Sequence, residues 1–184
     1  CLQHTIPLIR QKAVMCVHSF IKKDPSCIAD LFPELLRLLN DPDLSIVNSV
    51  INTFSCLLNS QLNIRQIVDT FPEVSNIVSM IQQGQARTEY YHQRILAPFI
   101  LVNIFSFLRK LSPHMPELGG ECAQFLTSAL QNGTTECSAS ASVLYEAIRT
   151  CIDLGLTEIP QLRGAISLFM SSDDQNLKYV GLGL

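Results

Sequence analysis

Apolar residues recur along this chain at helical spacing. Ile9, Ala13, Val14, Val17, Phe20 and Ile21 follow an i, i+4, i+5, i+8, i+11, i+12 pattern, and 37 residues on the same pattern returns as Ile46, Val50, Ile51, Phe54, Leu57 and Leu58. It comes back in Ile100, Ile104, Phe105, Leu108 and Leu111, then in Val143, Ala147, Ile148, Cys151 and Leu154, and starts once more at Leu177. Such spacing puts each set on one face of a helix. Between these stripes the pattern predicts further helices near Pro25–Leu39, Ile64–Gln83, Leu118–Gln131 and Gln161–Met170, and it sets the Val143–Leu154 stripe in a helix near Ser140–Leu154. No alternating strand pattern competes.

Local signals agree with those boundaries. Asp24 precedes Pro25 as an N-cap precedes a proline at the first helical position, where the missing N–H costs nothing. Asp43, in the turn Asp41-Pro42-Asp43, can cap the next helix, and Ser172-Asp173-Asp174 reads as the turn before the last one. A longer repeat lies over these elements. Ile28-Ala29-Asp30-Leu31-Phe32-Pro33-Glu34 returns after 39 positions as Ile67-Val68-Asp69-Thr70-Phe71-Pro72-Glu73. Pro33 and Pro72 are expected to kink or restart their helices. A repeat of roughly 20–50 residues, each unit unable to bury its apolar face alone, marks a solenoid. The expected fold is all-α: an α-solenoid of HEAT/armadillo-like helical hairpins, with residues 1–184 as one segment. Solenoids offer extended surfaces to other macromolecules rather than enclosed pockets.

Two segments interrupt the rhythm. Residues 84–97 carry Gly84, Arg87, Glu89, Tyr90, Tyr91, His92 and Arg94, and residues 133–138 are small and polar. Both are expected as loops, the longer one being the better contact surface.

Composition narrows the function. Hydrophobic residues make up 47% and charged ones 16%, so the chain is too apolar for disorder and poor in charge for a free-standing domain; part of its surface is expected to be covered. A net charge of −3 gives no electrostatic footprint for nucleic acid. No apolar run reaches the roughly 18–20 residues of a membrane span. Seven cysteines lie scattered with no C-x-x-C pair, pointing to a reducing compartment rather than a disulfide framework. The chain starts at Cys1 and ends inside an apolar segment, Gly181-Leu182-Gly183-Leu184, and reads as a piece of a longer protein.

Catalytic patterns find no purchase. His4, His18, His92 and His114 stand apart, with no H-E-x-x-H and no metal-ligand spacing to a cysteine; no nucleophile elbow or phosphate-cradling glycine motif occurs. Asp173-Asp174 fits a capping turn better than a metal pair, and Asn132-Gly133-Thr134 is a chance glycosylation tripeptide. No catalytic, cofactor-binding or metal-binding residue is therefore assigned, and no cofactor. Arg10, Lys12, Lys22, Lys23, Arg109 and Lys110 gather toward helix bodies and ends, where the last-turn pairs complement the helix dipole; the other reading is an edge for anionic lipid or an acidic partner.

Four segments go beyond generic helical-repeat wording. Arg10-Gln11-Lys12-Ala13-Val14-Met15, Ala97-Pro98-Phe99-Ile100-Leu101-Val102, Val143-Leu144-Tyr145-Glu146-Ala147-Ile148 and Asn176-Leu177-Lys178-Tyr179-Val180-Gly181-Leu182 resemble, in order, runs of the N-terminal trunk of adaptins, the large chains of vesicle adaptor complexes. The Lys12–Met15 and Lys178–Leu182 runs and the Tyr90-Tyr91-His92 loop are most similar to the epsilon chain of the fourth adaptor complex, with gamma and alpha chains next. Ala141-Ser142 stands where the family usually has Gly-Asn, and Phe105-Ser106-Phe107 replaces a leucine-arginine run. The resemblance implies a non-enzymatic scaffold in a heterotetramer with a small sigma-type chain, a medium chain and a second large chain. It implies recruitment by an Arf-type small GTPase to the cytoplasmic side of trans-Golgi or endosomal membranes, where sorting signals are gathered for vesicle-mediated protein transport. A coatomer large chain or a nuclear transport receptor would share the solenoid; a hinge and C-terminal ear would mark an adaptin, continued repeats a transport receptor.

Overall fold

A computed structural model describes all of residues 1–184, and its contacts divide the chain into two compact units, Cys1–Val74 and Ser75–Leu184. The fold is all-α, as the apolar periodicity requires.

In the first unit, α1 (Pro7–Lys23) packs against α3 (Leu44–Asn59), with α2 (Ile28–Leu39) laid alongside and a short α4 (Ile64–Val68) following. The two predicted stripes form its core: Val14, Val17 and Ile21 meet Ile46, Val50, Ile51, Phe54 and Leu57, all essentially inaccessible. Phe32 stacks on Phe54 with ring centroids 5.5 Å apart. Each such side chain contributes about 1.5–3 kcal/mol on burial. One member of the first stripe departs from expectation: Phe20 is 61% exposed.

The predicted capping residues all cap, but Asp24 closes a 3-10 turn over Pro25–Cys27 rather than the start of α2, which begins at Ile28. The Asp24 carboxylate accepts from the Ser26 N–H at 3.1 Å and from its hydroxyl at 2.6 Å, and the hydroxyl, then the N–H, hold that carboxyl below its ordinary range. Asp43 accepts from the Ser45 N–H at 2.9 Å to open α3.

The two Phe-Pro-Glu segments share one burial pattern over eight positions: Phe32, Leu35, Leu38 and Leu39 are buried where Phe71, Val74, Ile77 and Val78 are. Their backbones differ. Near Pro72 the expected Ile64–Gln83 helix breaks into α4 and α5 (Phe71–Gln82), so the proline occupies the second position of a new helix. Pro33 instead lies inside a continuous α2, so of the expected kink or restart no restart occurs there. It is tolerated because Ala29 and Pro33 both lie on the exposed side, where the carbonyl that Pro33 leaves unpaired can be hydrated.

In the second unit, α6 (Pro98–Leu111) packs on α8 (Ser138–Asp153), α7 (Leu118–Asn132) covers α8, and α9 (Pro160–Met170) holds α10 (Gln175–Leu182). Asp174 caps α10, accepting from the Asn176 N–H at 2.7 Å. Gly181 lies close under α9: a Cβ there would come within 2.8 Å of Phe169 Cβ. The 84–97 segment is more ordered than a loop. Residues Thr88–Tyr90 make a 3-10 turn, and β1 (Tyr91–His92) pairs antiparallel with β2 (Ile95–Leu96), Tyr91 opposite Leu96 and His92 opposite Ile95. Two-residue strands leave no alternating signature in a sequence, so the apolar pattern does not foretell this hairpin.

Candidate interaction surfaces

The chemistry-bearing side chains do not converge. The His4 imidazole Nδ1 accepts from the Ile6 N–H, His92 leans on Phe99 with centroids 5.1 Å apart, and no three His, Cys, Asp or Glu side chains stand close enough to hold a metal ion. All seven cysteines are free thiols, and burial pushes Cys122 up to about 12 and Cys151 up to about 11. Such thiols pack as small hydrophobes. No helix is long and apolar enough to cross a membrane.

The 84–97 and 133–138 segments, far apart in the sequence, meet. The hairpin turn Gln93-Arg94 has both residues at positive φ (49° and 68°), the backbone of a type I′ turn. From that turn the Gln93 side-chain oxygen accepts from the Ala139 N–H at 2.9 Å and the Ser138 hydroxyl at 3.0 Å, and the Cys137 thiol donates to the Gln93 carbonyl at 3.7 Å. No side chain of α8's own N-terminal flank caps it, so the cap comes from a residue more than 40 positions away. Ser140 draws in the second loop, its hydroxyl oxygen accepting from the Thr134 N–H at 2.9 Å. Under the turn is a cavity of about 290 Å³ walled by Leu96, Leu101, Ala129 and Val143.

The cations sort into two kinds. Arg10 forms a bidentate pair with Asp41 (2.9 and 3.1 Å) while its third nitrogen donates to the His4 and Thr5 carbonyls, tying the residues before α1 to the α2–α3 turn. Arg109 is paired with Glu146 and, at 3.4 Å, with Asp153 on α8. Arg109 does stand with Lys110 in the last turn of α6, as Lys22 and Lys23 do in α1, and both paired arginines also cross between neighbouring repeats. Lys12, Lys22 and Lys23 are exposed and make no ion pair.

Two threonines missed at the sequence level join these cross-repeat ties. The Thr53 hydroxyl, shared with the Ser49 carbonyl, reaches the Val14 carbonyl at 3.5 Å; the Thr150 hydroxyl, shared with Glu146, reaches the Phe105 carbonyl at 3.2 Å. In repeat register Val14 corresponds to Ile51 and Phe105 to Ile148, so each threonine lies two residues past the matching stripe position. A polar residue at the same offset in two apolar stripes was the available signal.

One large apolar surface remains open. A groove of about 780 Å³ runs along α1, between Leu8, Cys16 and Phe20 on one side and Leu31 and Glu34 of α2 on the other. Gln3, then Arg37, hold the Glu34 carboxyl below its ordinary range. Such a molecule is equipped for recognition by surface contact, with helical hairpins as the frame.

The sequence is similar to those of known proteins. The model of the adaptin N-terminal region matches residues 1–184. The chain is 26% identical over 184 residues to AP-4 complex subunit epsilon of Arabidopsis thaliana (98% of this chain, 19% of that one), 28% over 177 residues to AP-3 complex subunit delta of Dictyostelium discoideum (95% and 14%), and 24% over 181 residues to human AP-1 complex subunit gamma-like 2 (96% and 23%). It thus spans less than a quarter of the length of these relatives. Delta chains, which the motif resemblance did not single out, stand beside the epsilon and gamma chains that it did. With its hairpin repeats, its order of motifs and a match from the first residue to the last, the chain belongs to the adaptin N-terminal region family.

Proposed function

We propose that residues 1–184 are one non-enzymatic trunk segment of an adaptor-complex large subunit, acting in vesicle-mediated protein transport and cargo sorting. The observation that carries this reading is the adaptin match over the whole chain. Its partners are the small sigma-type chain, the medium chain and the second large chain of the complex. An Arf-type GTPase brings the assembly to the cytoplasmic face of trans-Golgi or endosomal membranes, with no nucleic acid involved. Membrane association is peripheral and belongs to the complex.

Co-expression with tagged small, medium and second large chains tests the proposal. Retention of this chain on the small chain, through washes that remove an unrelated helical-repeat protein, is the expected result. A monodisperse monomer held by none of the three would overturn it.

A further inference from the structure

We infer that the cavity beneath the Gln93-Arg94 turn binds the free C-terminus of a peptide chain, its last, apolar side chain seated on the cavity floor and its carboxylate on Arg94. The site lies wholly within the second unit, and the inference goes beyond the scaffold assignment.

A type I′ turn sets both central residues at positive φ, which glycine or asparagine takes at little cost. This turn holds Gln93 at +49° and Arg94 at +68° instead. Gln93 is accounted for by the end of α8 that it caps. Arg94 offsets its conformation with nothing inside the chain: its guanidinium enters no ion pair and donates to no group. Glu89 pairs with Arg87 at 3.6 Å, and Glu136 in the 133–138 loop forms no ion pair. Strain of this kind beside a cavity, with the charge unused, marks a residue held for contact with a ligand.

The cavity floor is apolar, with Ile81 of α5, Leu96 of the hairpin, Leu101 of α6, Ala129 of α7 and Val143 of α8. Its rim is polar, carrying Tyr91, Arg94, Ser128 and Asn132. No Asp or Glu lines it, so the Arg94 guanidinium is its one formal charge. A volume of about 290 Å³ stands at the small end of ligand sites, room for one residue rather than a nucleotide or a helix. Both walls are held within the chain, the hairpin by Gln93 on Ala139 and Ser138 and the 133–138 loop by Thr134 on Ser140. A ligand therefore has little to order.

A carboxylate matches this rim, because a guanidinium offers paired N–H donors to its two oxygens. The floor adds the requirement for an apolar side chain next to it. Two features favour a chain end over a small free acid. The Asn132 amide donates to the Ser128 hydroxyl at 3.3 Å, which leaves its oxygen to accept the N–H of an incoming last residue. Gly84 on the rim faces open space, with nothing within 4 Å of where a Cβ would stand, so the rest of the chain can leave there.

The probe is a short fluorescently labelled peptide with a polar body and a final leucine, titrated with the full chain as the free acid and as the C-terminal amide. The free acid is expected to bind about tenfold or more tightly than the amide. R94E should abolish or invert that preference. R94G should also remove it, while its urea midpoint stays equal to the wild type or rises, because glycine relieves the turn. A129L fills the floor and should weaken both forms, with circular dichroism checking its fold; Arg94 is exposed, so its variants decide the matter even if A129L unfolds. Equal binding of acid and amide, undiminished binding in R94G, or no binding of peptides ending in Leu, Ile, Val or Phe would overturn the proposal. So would N-acetyl-leucine competing as well as the peptide, which would make a small free acid the ligand, or equal binding by a peptide whose leucine and glutamate both lie inside the chain. Loss of the small-chain interaction leaves these results untouched, so the two proposals fail separately.

Discussion

Replacing Gln93 by alanine isolates the contact that joins the two irregular segments. The Gln93 side-chain oxygen accepts from the N–H of Ala139, whose residue is 4% exposed, and α8 has no other side-chain cap. Losing an N-cap costs about 1 kcal/mol, and an amide left without partner or ready access to water moves the total toward about 2 kcal/mol. The turn allows a second measurement. Gln93 holds φ at +49°, a conformation that costs a residue with a Cβ roughly 1–2 kcal/mol relative to glycine. Q93G therefore loses the same cap but recovers part of the strain, and should be destabilised by about 1 kcal/mol less than Q93A. Urea denaturation followed by circular dichroism gives both values, and hydrogen exchange at the Ala139 amide localises the effect to the first turn of α8. If Q93A matches the wild type, or if Q93A and Q93G lose equal amounts while Ala139 stays protected, the distant cap is not what secures α8.

Other substitutions address the ties between repeats. T150V, close in shape, should cost about 1 kcal/mol in denaturant midpoint analysis, and T53V less, because its cross-helix contact is 3.5 Å rather than 3.2 Å. R109M should cost about 3 kcal/mol, since it strands Glu146, whose side chain is 17% exposed, and E146Q in the same background should recover part of the loss. Thiol labelling at neutral pH should be fast at Cys1 and Cys16 and should reach Cys122 and Cys151 only on unfolding. Both buried thiols lie above the ordinary value of 9.0, so they favour the folded state below pH 9. That contribution fades as the pH climbs from 9 toward 11 and 12, because only the unfolded chain then releases the protons. A C122A/C151A variant should show a flatter alkaline decline in stability. G181A should cost about 1–3 kcal/mol, because its Cβ meets Phe169 at 2.8 Å.

What the sequence disclosed follows from how far apart the interacting groups are. Helix faces and caps act within four residues, so the stripes ending in Ile21, Leu58 and Leu111 and the caps Asp24, Asp43 and Asp174 are all legible in the residue pattern alone. The ties between repeats were out of reach, because Arg10 meets Asp41 and Arg109 meets Glu146 only when hairpins stack at one register. Each arginine taken alone looks like an ordinary surface cation. The hairpin cap was equally hidden, since glutamine in a type I′ turn opposes turn preference and is explained only by the helix it reaches. Phe20 shows the most useful failure. Periodicity puts it in register with Leu57, but periodicity cannot say whether anything is stacked there; the same pattern that buries Leu57 leaves Phe20 in the open. A repeat thus specifies the shape of its interfaces one unit at a time, while occupancy depends on the neighbour.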